Sequence, residues 1–125
     1  MKQVNCPINF KTITKEYNTR DLTVVYREKK KPGFNGVCYH TPNMKRRKFG
    51  AWYEQPLITL TIGQNAYPYK TKDRFKVEFV AQTKEELTLF LFWHEFQHYL
   101  DAKASIKTKH REISEIAYNR VWGGK

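Results

Sequence analysis

Between Thr83 and Lys103 the chain contains neither glycine nor proline, and no other stretch constrains the fold as strongly. Thr83-Lys84-Glu85-Glu86 has the spacing of a capping box, in which a hydroxyl and a carboxylate satisfy free amides at a helix start. Beyond it, Leu87, Phe90, Leu91, His94, His98 and Asp101 fall on one helical stripe, and the Leu-Phe-Leu-Phe-Trp run before His94 makes the helix a buried one. A second amphipathic helix is expected from His110 to Trp122 through Ile113, Ile116, Ala117 and Val121, stopping at Gly123-Gly124.

Upstream the period changes to two. Leu22 to Arg27 reads as a strand, with Gly36 to His40 as its hairpin partner after a Pro32-Gly33 turn. Ile58-Thr59-Leu60-Thr61-Ile62 alternates cleanly and ends at Gly63, and Phe75, Val77 and Phe79 alternate with polar residues as a further strand. Asn65 to Asp73, Lys29 to Phe34 and His40 to Gly50 read as loops. With 125 residues, this is one α+β domain: a small antiparallel sheet packed against two helices, residues 1–50 basic and loop-rich, residues 51–125 carrying the sheet and the helices.

The buried helix carries chemistry. Residues four apart stand one turn above each other, so His94 and His98 offer two imidazole nitrogens to one ion. Glu95 points beside that ion, where a general base for water activated by the metal belongs. With 4 His in 125 residues, such a run arises by chance about 0.01 times. Two histidines buried without a partner would also leave polar nitrogens unsatisfied. The reading is a zinc site, with Zn2+ as cofactor and a peptide bond as the bond hydrolysed.

A third ligand must come from downstream, where His110, Glu112 and Glu115 stand. If the second helix runs antiparallel to the first, depth favours Glu112 or Glu115. The amphipathic phase instead sets His110 and Glu112 beside the apolar stripe and Glu115 opposite it.

The order of strand, His94-Glu95-x-x-His98 helix, Lys109-His110, Glu115-Ile116-Ala117 and Asn119-Arg120-Val121 resembles a shortened SprT-like domain, the zincin family that includes Spartan, over roughly residues 36 to 122. The resemblance implies a zincin-like fold, a metalloendopeptidase acting on proteins bound to DNA, and a histidine at the start of the following helix as third ligand, which is His110. A Glu ligand would make the site similar instead to gluzincin-type, ImmA-like regulatory peptidases, with Glu112 the next choice. In zincins the edge strand above the active-site helix aligns the substrate. Ile58 to Ile62 is the candidate for that work, with Thr59 and Thr61 facing outward.

Charge bears on the partner. Of the formal net charge of +11, residues 1–50 carry +9 and residues 51–125 only +2. Two clusters hold the excess, Lys29, Lys30 and Lys31 with nearby Arg27, and Lys45, Arg46, Arg47 and Lys48. Such clusters attract polyanions, and Tyr39, Trp52 and Tyr53 are available for base stacking, so DNA is an expected partner. A nucleic-acid-binding protein with a structural zinc is the rival reading. Structural sites favour cysteine, and residues 51–125 have none. Cys6 and Cys38 are too few for a disulfide framework and read as small apolar residues in a reducing compartment. Met1 to Phe10 lacks a continuous apolar stretch and no window approaches membrane-spanning length, so a cytoplasmic protein without membrane contact is expected. Tyr99 and Tyr118 are candidates to assist the metal at a developing oxyanion.

Overall fold

A computed structural model describes residues 1–123, so Gly124 of the expected helix stop lies outside the described residues. Strands β1 (Lys2–Val4), β2 (Thr23–Glu28), β3 (Phe34–Tyr39), β4 (Lys45–Lys48), β5 (Ala51–Glu54), β6 (Leu57–Ile62), β7 (Tyr69–Lys72) and β8 (Glu78–Ala81) combine with the one-turn helix α1 (Phe10–Ile13) and the helices α2 (Lys84–Ala104) and α3 (His110–Trp122). The architecture is α+β, as expected.

The capping residues start α2 as their types dictate. The Glu86 amide donates to Thr83 Oγ1 at 3.2 Å, and Glu86 Oε1 accepts from the Gln82 amide at 3.0 Å and from Trp122 Nε1 at 2.9 Å, tying α3 to the same point. Ser105 ends the helix in the left-handed region, its neighbour Ile106 donating to Asp101 O. Eleven of the 21 residues of α2 are buried, on more than one stripe. One side, with Leu87, Phe90 and Leu91, packs in the core that includes Ile58, Leu60 and Ile62 of β6. The other meets the N-terminal segment: Phe10 stacks on Phe92 at 4.1 Å, Tyr17 meets Phe96 edge-on, and the Tyr99 hydroxyl donates to Asp21.

The main sheet is mixed, in the order β1-β2-β6-β3, which corrects the expected antiparallel sheet. β1, β2 and β6 are parallel, and β3 alone runs antiparallel to β6, with Phe34 opposite Ile62 and Cys38 opposite Ile58. β2 and β3 are therefore not a hairpin pair; β6 lies between them. The Lys29–Gly33 connection crosses the end of β6, where the Lys29 amide donates to Ile62 O and the Gly63 amide to Gly33 O. A Cβ on Gly63 would sit 2.1 Å from the Lys31 carbonyl oxygen, so only glycine lets the connection pass.

Two smaller hairpins flank the sheet. β4 and β5 pair with Arg47 opposite Trp52, making a strand of a basic segment expected as loop. β7 and β8 pair with Tyr69 opposite Ala81, so the expected Asn65–Asp73 loop contains a strand and the expected strand from Phe75 starts only at Glu78. Local hydrogen bonding overrides the alternation there. Asp73 Oδ1 accepts from the Phe75 and Val77 amides, and Lys76 takes a φ of 66°, which turns the chain.

No helix among the described residues is long and apolar enough to cross a membrane. The aromatic packing gives a stability ranking. Phe92→Ala should cost about 3 to 5 kcal/mol, because a fully buried ring between Phe10 and Phe96 cannot be replaced by collapse of rigid neighbours. Thr83→Ala should cost only about 1 kcal/mol, one capping bond. Urea unfolding of the two variants against the parent checks the order.

Candidate metal centre

The helical spacing of His94 and His98 brings their rings to 5.1 Å between centroids, and His110 at the first turn of α3 lies 5.1 Å from His98. One ligand nitrogen from each of the three falls within 4.8 Å of the others. An ion held at about 2.0 to 2.1 Å from each nitrogen needs them about 3.3 Å apart, so binding one would draw the three rings together. The expected third ligand is thus brought to the site. Glu112 and Glu115 are exposed and outside this group.

The donor set fits a metal. Burial, reinforced by His98 and His110, lowers the pKa of His94 to about 4, and burial with His110 lowers that of His98. Three ring nitrogens converge and burial disfavours a proton on the inner two, so the group could hold a cation. Ser114 Oγ lies 3.0 Å from His94 Nδ1, both groups buried, which leaves Nε2 for the ion. Phe75, carried by the Asp73 turn, stacks on His94 at 5.7 Å and 5° and on His110 at 4.8 Å and 13°, fixing both ring planes.

Glu95 is 5% exposed, and its Oε2 is 3.9 Å from His94 Nε2. Burial raises its pKa to about 8, with Arg74 pulling the other way. At neutral pH the metal-free pair is therefore a neutral acid beside a neutral imidazole, and the short separation is not an ion pair.

The room for this carboxyl comes from β3. A Cβ on Gly36 would stand 2.9 Å from Leu91 Cδ1 and 3.0 Å from Glu95 Cγ, so the strand lies directly against the helix at the site. Together with His94, Glu95, His98, His110 and the Asp73 turn, β3 encloses a cleft of about 630 Å³. Cys38 lines it too, half-buried and unpaired, its thiol pKa pushed up by burial.

Other expected residues lie elsewhere. Ile58 to Ile62 forms β6, a central strand buried at every position; Thr59 and Thr61 are 4% and 5% exposed and do not face outward. Arg27 Nε donates to Thr61 Oγ1 and its guanidinium covers Phe49 of the β4–β5 turn, closing that face. Lys45 to Lys48 stand on β4 and Lys29 to Lys31 follow β2, none of them in the histidine group. The Tyr99 hydroxyl is engaged by Asp21 and Asn18, and Tyr118 packs on Trp122, so neither lines the cleft.

Sequence reading missed Gly36, Asp73, Arg74, Phe75 and Ser114. Only Ser114 carried a signal, as a polar residue four after His110 among the apolar positions of α3.

No protein-family model, no curated protein and no solved structure matches the chain.

Two outcomes follow from this geometry. Titration with Zn2+ or Co2+ should give one site per chain, lost in His94→Ala, His98→Ala and His110→Ala, kept in Glu112→Ala, and weakened about tenfold in Ser114→Ala. For the metal-free chain, a Glu95 pKa raised above its unfolded value favours folding fully below pH 4.5 and less as pH rises through 8. Glu95→Gln should therefore raise the melting temperature at about pH 9, with the difference vanishing by about pH 4.

Proposed function

We propose that the chain is a zinc-dependent metalloendopeptidase of the zincin type, with His94, His98 and His110 holding the metal and Glu95 as general base. The observation that carries the reading is the convergence of three imidazoles beside one buried carboxyl in an open cleft. When bound there, zinc polarises a peptide carbonyl and lowers the pKa of water.

The protein side chains supply the rest. Burial keeps the Glu95 carboxyl near the proton affinity at which one group can take a proton from water and return it to the leaving nitrogen at neutral pH. Ser114 holds the His94 tautomer, and Phe75 holds the ring planes. Gly36 keeps the strand close enough for the cleft wall and the carboxyl to share one small space.

Substrate alignment is assigned to β3 in place of β6. β3 is the terminal strand of the main sheet and lines the cleft. The bond from the Gly63 amide to Gly33 O sets the alternation: Asn35, Val37 and Tyr39 turn their backbone groups to β6, and Phe34, Gly36 and Cys38 turn theirs to the open edge. An extended peptide pairs with such an edge.

The ligand set favours the SprT-like over the gluzincin reading, because the third position is filled by a histidine at the start of α3. Three histidine ligands, with Cys38 lining the cleft but outside the ligand group, also favour an open catalytic site over a closed structural one.

Zinc-loaded protein should cleave members of a quenched-fluorescence peptide library. Glu95→Gln should retain stoichiometric zinc while kcat/KM falls about 10² to 10⁴ fold. Full zinc binding with no cleavage across the library would overturn the peptidase reading.

A further inference from the structure

Positive charge surrounds the open edge of β3 at both ends and along its outer wall. At the Gly33 end, Lys29 Nζ stands 3.7 Å from where a side chain at that glycine would begin. At the other end the Arg46 guanidinium lies 4.1 Å from the centre of the Tyr39 ring, and Lys48 Nζ lies 5.0 Å from it. Across the cleft, Lys72 and Arg74 line the wall formed by the β7–β8 hairpin, both exposed. Two acids also line the cleft: Glu95, buried against Gly36, and Asp73, whose Oδ1 accepts two backbone amides of its own turn and whose Oδ2 is buried without a partner.

We propose that the ligand of this cleft is an acidic, extended polypeptide segment that adds as a strand to the outer edge of β3, its carboxylates meeting Lys72 and Arg74 on the helix side and Arg46 and Lys48 on the other. The proposal rests on the peptidase reading of the site and names its substrate class. Alternation supports the two-sided arrangement. Phe34, Gly36 and Cys38 face α2, while Tyr39 with its covering cations faces away, so successive side chains of an added strand reach the two groups in turn. Backbone pairing holds any sequence, and the flanking cations select acidic ones and speed their encounter.

Nucleic acid fits this edge less well. Tyr39, in the basic cluster at this edge, already has the Arg46 guanidinium and Lys48 Nζ against its ring, where they compete with a base for stacking. Trp52 is 66% exposed, but it pairs opposite Arg47 on the side of the β4–β5 hairpin turned away from Arg46 and Lys48.

The test uses the Glu95→Gln chain and fluorescein-labelled peptides of equal length, one Asp/Glu-rich, one neutral and one Lys-rich, followed by anisotropy. The acidic peptide should bind about tenfold or more tightly than the neutral one at low salt, with the difference shrinking as salt rises. Its affinity should fall about tenfold in the double variant Lys72→Glu/Arg74→Glu, and again when alternate peptide amides are N-methylated, which removes ladder bonds without altering charge. Equal affinity for the three peptides, or indifference to N-methylation, would overturn the proposal. So would a single-stranded oligonucleotide that binds more tightly than the acidic peptide and displaces it. Zinc-loaded parent protein given the same peptides separates the two readings. Selective binding of the acidic peptide without cleavage counts against the peptidase and leaves the ligand class standing, whereas cleavage of the neutral and Lys-rich peptides at the rate of the acidic one counts against the ligand class alone.

Discussion

The structure depends on burying α2 while that helix carries two imidazoles and a carboxyl. A helix apolar around most of its circumference must be enclosed, and here β6 covers one side and the N-terminal segment with Phe10 and Tyr17 the other. Enclosure takes His94 and Glu95 out of water with the rest. Their surroundings then have to answer for two buried polar groups, which is why α3 presents Ser114 to the back of His94 and His110 to its front.

The same burial sets the electrostatics. It moves the histidine and the glutamate in opposite directions, His94 down to about 4 and Glu95 up to about 8, so that both are neutral at neutral pH in the metal-free chain. Converging imidazoles without protons could hold a metal ion, and a carboxyl whose affinity for a proton lies near neutrality is chemically able to exchange one. No charged partner is required inside the site, and the abundant lysines and arginines remain on the periphery, where solvent carries their cost.

Tertiary connections decide which face of the site is open. The crossing of the β2–β3 connection over Gly63 places β6 in the centre and sends β3 to the edge, so the strand with the cleaner alternation is the inaccessible one. β3 is irregular in sequence, containing Gly36, yet that glycine is what lets it lie on Leu91 and Glu95. The Asp73 turn works the same way: it breaks an alternating pattern, and in breaking it carries Phe75 onto His94 and His110.

The α2 helix, its cap, the pair His94 and His98, the placing of Glu95 and the extent of α3 were legible from the sequence, because each depends on contacts within one or two helical turns. His110 stood there only as one of three candidates, since choosing among them needs the angle and depth of one helix against another. The parallel pairing of β2 with β6, the edge position of β3, the β7–β8 hairpin and the parts of Gly36, Phe75 and Ser114 were decided by tertiary structure alone. Strand order follows from which chain ends can pass one another, and a glycine or a serine shows its use only when a residue far away in sequence is set against it.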